Sequence, residues 1–338
     1  MKLYFAPMEG ITGHPFRNAH KKFFSGIDRY YTPFIVTNQH FSFQKKEMRD
    51  VEPEKNQGLN VVPQILSNQP EQFLHAVCIL SVFGYPEVNL NLGCPSPTVV
   101  NRHRGAGMLR NPEELDRFLD VFFEKLEHMD EAMEQRMIRR CKKAEFHPET
   151  VRKTVISVKT RLGFSEPGEA KPLLQILNRY PIGEVVIHAR LREDYYREPV
   201  RMEVFAEMYE GSRHPVCYNG DVRTPDEISR LKEAFPDLSA VMIGRGLLRN
   251  PALAREYRVP GSALSQEELY GFLNELYQNY ALEMAGDGQV ISRMKELWSY
   301  LKVQVPDSDK AFRKLRKAKS KSEYDAFLSE ILPGSFRC

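Results

Sequence analysis

The stretch "EVNLNLGCPSPTVVNRHRGAGMLRNPEELDRFLDVFFEKL", Glu87–Leu126, spells out one strand, one loop and one helix. It begins as a strand in which Val88, Leu90 and Leu92 alternate with Asn89 and Asn91, and it stops at Gly93-Cys94-Pro95. A loop follows with His103 and three arginines, Arg102, Arg104 and Arg110. Asn111 then offers an N-cap, Pro112 a first-turn proline and Glu114 a capping-box partner. Leu115, Phe118, Leu119, Phe122, Phe123 and Leu126 recur at spacings of three and four, one apolar face of a helix. A cysteine at a strand end, beside amides and ahead of a basic loop, asks for a chemical reason.

Working outward, the same unit repeats. Short apolar runs, each followed by turn residues and a helical pattern, occur at 3–8, 30–35, 60–65, 87–93, 154–160, 184–189, 215–220 and 240–245. Several are nearly continuous in apolar character, as parallel strands covered on both faces are. Eight strands alternating with helices over about 250 residues predict an α/β chain folded as a (β/α)8 TIM barrel. An open doubly wound sheet is the alternative, but it calls for a Gly-rich first turn that "APMEGITGHP" does not supply. Between the fourth and fifth runs lies a highly charged excess near 127–150, read as an inserted or extended helix. After Arg255 the pattern is helical only. Ser265 and Glu268 form a capping box, followed by the stripe Leu269, Phe272, Leu273, Leu276, Tyr277, Tyr280 and Met284. The expected domains are therefore a barrel over 1–255 and an all-α C-terminal domain over 256–338.

The bulk composition, with 338 residues, 42% hydrophobic and 28% charged, is that of a globular protein. Net charge is only +3, but Arg293–Lys321 carries ten Lys/Arg against three Asp/Glu. Such a basic segment suits an acidic partner such as nucleic acid, or is a plain solvated helical face. Cysteines 78, 94, 141, 217 and 338 are scattered, with no CxxC pair, so neither a metal site nor a disulfide framework is expected. Reduced thiols fit a cytoplasmic location. The N-terminal apolar run is broken at Pro7 and Glu9, unlike a signal peptide, and no run approaches the length of a membrane span.

In such barrels the chemistry sits at the C-terminal strand ends. There the sequence places Pro7-Met8-Glu9, Gln64, Asn91 and Cys94, Lys159 and Arg161, His188 and Arg190, Asn219-Gly220-Asp221, and Gly244-Arg245-Gly246. Buried polar side chains are costly without partners, and this many at equivalent positions point to one polar ligand at the mouth. "NGD" and "GRG", after the seventh and eighth strands, supply backbone N–H groups and an arginine, as a phosphate requires.

The segments "APMEG", "NLNLGCPSPTVVNRHRGAGMLRNP", "VKTRLG", "IHAR", "YNGD" and "MIGRG", in this order, resemble the tRNA-dihydrouridine synthases over nearly the whole chain. The resemblance implies an FMN-dependent oxidoreductase that reduces the C5=C6 bond of specific uridines in tRNA, with NADPH as reductant. It further implies an FMN barrel followed by a helical tRNA-binding domain. By resemblance, Cys94 is the proton-donating cysteine. Pro7, Met8 and Glu9 form the first FMN segment, Gln64 is the flavin-ring amide, and Lys159 and His188 lie around the flavin. Asn219, Gly220, Asp221, Gly244 and Arg245 match the phosphate end. Asn91 faces the target uracil, and Arg161 stands on the substrate side. Arg293, Lys295, Lys302 and the Lys310–Lys321 cluster, with Arg102 and Arg104, are expected at tRNA phosphates. No metal and no obligate protein partner are expected. Leu191 departs from the threonine that the family tends to show between two arginines.

That chemistry accounts for the cysteine. Hydride reaching the electrophilic C6 of uracil leaves charge toward C5 and O4, and C5 needs a proton from the opposite face. A thiol of ordinary pKa, about 8.5, is protonated at neutral pH and can give it. The base must leave its stack to be reached. The alternatives are an FMN barrel acting on a free pyrimidine, against which the basic tail argues, and a non-catalytic RNA-binding protein on a dead barrel, which would hold no flavin.

Overall fold

The structure is a computed structural model that describes residues 1–40, 42–129, 151 and 153–333; Cys141, Cys338 and the expected insertion from 130 onward lie outside the described residues. The strands are β1 (Lys2–Phe5), β2 (Arg29–Tyr31), β3 (Ile35–Val36), β4 (Val61–Val62), β5 (Gln64–Leu66), β6 (Glu87–Leu92), β7 (Val155–Arg161), β8 (Val185–His188), β9 (Val216–Asn219) and β10 (Ala240–Ile243). They form one sheet in the order β3-β5-β6-β7-β8-β9-β10-β1-β2-β4. Pro63, with no N–H to give a ladder, separates β4 from β5, and Pro33 lies between β2 and β3. The ten short strands are thus the eight expected segments, two of them interrupted, and the fold is the (β/α)8 barrel. Among the described residues no helix is long and apolar enough to cross a membrane.

The helices are α1 (His14–Phe23), α2 (Lys45–Val51), α3 (Pro70–Val82), α4 (Pro97–Val100), α5 (Pro112–Glu127), α6 (Ala170–Leu177), α7 (Met202–Gly211), α8 (Pro225–Ala234), α9 (Arg245–Arg249), α10 (Leu253–Arg258), α11 (Gln266–Ala281), α12 (Asp287–Leu301), α13 (Asp309–Lys317) and α14 (Lys321–Ile331). The chain divides into two compact units. The first comprises Met1–Lys2, Phe34–Gly220 and Asp237–Met242; the second comprises Leu3–Pro33, Asp221–Pro236 and Ile243–Cys338.

In the first unit every residue of β6 is buried. The parallel register sets Gln64 opposite Asn89, Asn89 opposite Ser157, Asn91 opposite Lys159, Arg161 opposite His188, and His188 opposite Asn219. Asn111 caps α5 by accepting from the N–H groups of Glu113 and Glu114. The reciprocal bond expected from the Glu114 carboxylate is not formed, so this end has a simple cap and not a box. The apolar face of α5 lies on α3, with the Phe73 and Phe122 rings 4.6 Å apart.

In the second unit α1 packs on α11. Phe16 meets Phe272 edge to face at 5.7 Å. Gly271 permits the approach, because a Cβ there would lie 2.6 Å from the Phe23 ring. The Ser265–Glu268 capping box is present as expected. Trp298 is buried, donates to the Tyr324 hydroxyl and meets Phe327 edge to face. On α13, Ala311 and Leu315 are buried while Lys310, Arg313, Lys314, Arg316 and Lys317 are exposed.

His20 of α1 is wholly buried among Phe5, Phe16, Phe24 and Phe272. Its Nε2 lies 3.0 Å from the Pro251 carbonyl and its Nδ1 2.8 Å from the Tyr30 hydroxyl. A carbonyl only accepts, so Nε2 carries the proton and Tyr30 donates to Nδ1. Burial lowers the imidazole from 6.5 to about 3. The unfolded chain therefore binds the proton first as the medium acidifies. The stability contributed by neutral His20 is complete above about pH 6.5 and drains away as pH falls toward 3. Urea denaturation of the wild type at pH 7 and pH 4.5 should differ by roughly 3 kcal/mol more than in His20→Gln. Equal pH dependence in the two proteins would contradict a neutral, buried imidazole.

Candidate active site

Cys94 is half-buried and begins the turn after β6. Asn91, two residues inside the strand, accepts with its Oδ1 from the N–H groups of Gly93 (3.0 Å) and Cys94 (2.9 Å). Gly105, at φ +55°, closes the loop over the cysteine, since a Cβ there would lie 3.0 Å from the Cys94 carbonyl and 3.1 Å from its Cβ. Cys94 is thus fixed by an amide ahead of it and by a glycine-lined loop behind it.

Asn91 does more than hold the turn. Its Nδ2 donates to Gln64 Oε1 at 2.7 Å, Gln64 Nε2 donates to Asn89 Oδ1 at 2.8 Å, and Asn89 Nδ2 donates to Ser157 Oγ at 2.9 Å. Gln64, Asn89 and Ser157 have no accessible surface, so this run of amides lies inside the barrel wall.

Lys159 sits opposite Asn91 on β7. Some of its surface remains accessible, yet its ammonium is desolvated by its surroundings and lies near Arg161, and these effects together lower it from 10.5 to about 8. Among the described residues no carboxylate forms an ion pair with it. Arg161 is fully buried, and its Nε and Nη1 are bonded to main-chain carbonyls while its Nη2 has no hydrogen-bond partner among the described residues. Its Nε donates to Gly93 O at 2.8 Å, and its Nη1 to Leu191 O at 2.8 Å and Tyr195 O at 3.2 Å. Arg161 therefore joins the cysteine turn to the loop after β8. That loop is braced further by Asp194, which accepts from Leu191 N and is held in a two-bond pair by Arg201. The Arg201 guanidinium keeps the Asp194 carboxyl below the usual carboxylate range.

His188, at the end of β8, is buried, and Arg190 Nη1 stands 3.3 Å from its Nε2. A guanidinium cannot accept, so the His188 Nε2 takes the acceptor role in this contact. Asn219 ends β9 and donates to Met242 O at 2.8 Å. Gly220 follows, where a Cβ would lie 2.1 Å from the Tyr218 hydroxyl. Arg102 is exposed, and Arg104 is bound at its Nε to Asn68 Oδ1.

The second unit carries the remaining predicted residues. Met8 begins a turn in which its N–H donates to Thr12 Oγ1 and its carbonyl accepts from Ile11 and Thr12. Gly244 faces it closely, since a Cβ on Gly244 would lie 3.2 Å from Met8 Sδ and 3.4 Å from Ala6 Cβ. Arg245 and Asp221 form an ion pair at 2.6 Å. At Gly246 a Cβ would sit 2.0 Å from the Val222 carbonyl oxygen, so the loops after β9 and β10 touch backbone to backbone there. Gly246→Ala should force these loops apart, lowering Tm at a cost of about 1–3 kcal/mol; an unchanged Tm would show that the loops give way freely.

On the tail, Arg293 pairs with Glu296 and lies over Gly10. Lys295 donates to the carbonyls of Arg316 and Ala318, capping the end of α13. Lys302 is exposed. The sequence reading passed over Ser157, Asp194 and Arg201, and noted Asn89 only as one of the amides beside Cys94. Asn89 and Ser157 were within reach of it, since each stands two residues before a singled-out position and so shares its face of the strand.

A family model for dihydrouridine synthase (Dus) matches residues 4–128 and 134–332. The tRNA-dihydrouridine(16) synthase of Aquipseudomonas alcaligenes is 26% identical, covering 97% of this chain and 99% of that protein. The tRNA-dihydrouridine(16) synthase of Cupriavidus necator is 28% identical, covering 99% of this chain and 98% of that protein. With a match that spans both units and includes the Cys94 turn, the chain belongs to the dihydrouridine synthase family of flavin-dependent oxidoreductases.

Proposed function

We propose that this protein is a tRNA-dihydrouridine synthase that uses FMN and NADPH and gives the C5 proton from Cys94. The observation that carries the reading is the Asn91-held Cys94 turn beside Lys159, a desolvated ammonium with no carboxylate partner among the described residues. A cation left in that state fits an electron-rich, anion-forming ring such as the isoalloxazine of a flavin. When bound, the flavin supplies the hydride for C6 of the uracil, and NADPH restores it.

The protein's own groups do the rest. Lys159 holds positive charge against the ring, and Gln64, matched by resemblance to the flavin-ring amide, has no accessible surface and backs the site through its bond to Asn91. Pro7, Met8, Glu9 and His188 line the flavin; Asn219, Gly220, Gly244 and Arg245 hold its phosphate, with Asp221 at the same end bracing the Arg245 guanidinium. Cys94 holds a proton for C5, and Asn91 presents the remainder of its amide to the base. Arg161, assigned by resemblance to the substrate side, keeps the turn and the following loop in register. Residues 256–338, with Arg293, Lys295, Lys302 and the outer face of α13, grip tRNA phosphates, joined by Arg102 and Arg104.

The purified protein should be yellow, and tRNA from cells lacking it should lose dihydrouridine. The number 16 carried by the relatives makes that uridine the first to map. tRNA affinity should fall at least about tenfold between roughly 50 and 200 mM salt. A colourless protein with unaltered tRNA would end the reading. Turnover of free uracil without tRNA would favour the small-molecule alternative.

A further inference from the structure

The amide run beneath Cys94 has a direction that its own chemistry dictates. Main-chain N–H groups can only donate, so Gly93 and Cys94 compel Asn91 to turn its oxygen toward them. Its nitrogen must then face Gln64, which turns its oxygen to Asn91 and its nitrogen to Asn89. Asn89 in turn faces Gln64 with its oxygen and Ser157 with its nitrogen, and the Ser157 hydroxyl accepts the last bond. Each amide has one workable orientation only while its neighbours keep theirs. Gln64, Asn89 and Ser157 have no accessible surface, so water is not at hand to replace a lost partner.

We propose that Asn89 and Ser157 are positioning residues for the reaction. They reach the site through Gln64 and Asn91, and they fix the turn that aims the Cys94 thiol. This rests on the function proposed above. The strand periodicity gives the arrangement its reach, since Asn89 and Asn91 point to the same face of β6 while Ser157 and Lys159 share a face of β7. Breaking the far end leaves a buried donor without an acceptor. The neighbouring amides then shift to shield it, and the Asn91 oxygen that holds the two N–H groups of the cysteine turn shifts with them.

The test uses Asn89→Ala, Ser157→Ala and the hydroxyl-keeping Ser157→Thr in the full-length protein. With flavin reduced beforehand and tRNA in excess, the single-turnover rate per bound flavin should fall about ten- to a hundredfold in Asn89→Ala. It should fall less in Ser157→Ala, and recover in Ser157→Thr. tRNA affinity should stay within about twofold. The second readout needs neither flavin nor tRNA. In flavin-free protein, iodoacetamide labelling of Cys94, resolved from the other cysteines by mass spectrometry, should change at least about threefold in rate in both alanine variants. Should Asn89→Ala fail to fold, Ser157→Ala carries both measurements. A lowered Tm with unchanged rate per flavin and unchanged Cys94 labelling would reduce the two residues to core packing and overturn the proposal. If the wild type does not reduce tRNA at all, the function fails, while labelling of flavin-free protein still decides whether Asn89 and Ser157 control the cysteine.

Discussion

Cys94→Ala should lower the single-turnover rate of uridine reduction by at least about a hundredfold, with flavin content and tRNA affinity unchanged. The size follows from the role. A positioned proton donor contributes about 10²–10⁴ in rate, and alanine has no proton to give. The specificity of the loss follows from the geometry. The turn is held through main-chain N–H groups to Asn91 and through Gly105 against the Cys94 backbone and Cβ, all of which alanine keeps. Arg161 likewise binds the Gly93 carbonyl and does not depend on the sulfur. Rapid-quench measurement of dihydrouridine formed on flavin-reduced enzyme reads the step directly. A rate within a few-fold of wild type would remove Cys94 as the acid.

Lys159→Met should weaken flavin binding about ten- to a hundredfold, the scale of one hydrogen bond to a charged group. Methionine keeps the apolar stem and removes only the ammonium. A pH series gives an independent check. The ammonium titrates at about 8 in the unliganded protein, so it is charged below that value and neutral above it. A ring that gathers negative charge prefers the charged form. Wild-type affinity should therefore be highest below pH 8 and decline as pH rises through it, while Lys159→Met should show no such decline. Flavin fluorescence during equilibrium dialysis measures both. Equal affinity of the two proteins, with parallel pH profiles, would place Lys159 away from the ring.

The repeating strand–helix pattern was legible because burial writes periodicity directly into sequence. All eight apolar runs became strand segments, and Asn111 and Ser265 sit at the helix starts where capping chemistry puts them. Pro33 and Pro63 broke two of the runs, an effect of a missing N–H that can be read from one residue. The Glu114 box did not form: Asn111 accepts from the Glu113 and Glu114 N–H groups, but no bond returns from the Glu114 carboxylate to the Asn111 N–H.

The site was legible in its residue types and less so in their bonds. Arg161 reads as a substrate-facing cation in a linear sequence. Its burial and its three carbonyl partners follow from the course of loops after β6 and β8, which no local pattern specifies. Asn89 looks like a strand polar residue of no consequence until register places it between Gln64 and Ser157. Arg190 and His188 stand two residues apart in the "IHAR" segment, yet the donor–acceptor relation between them depends on side-chain direction.

The pairing of α1 with α11 has a consequence for how the chain is made. The apolar side of α1, with Phe16, His20 and Phe23, finds Phe272 and Gly271 only when residues from the far end are available. During synthesis the first helix thus leaves the ribosome long before its cover does. The newborn segment around α1 must wait in a sticky, unfinished condition, exposed to chaperones and proteases, until α11 emerges to close over it.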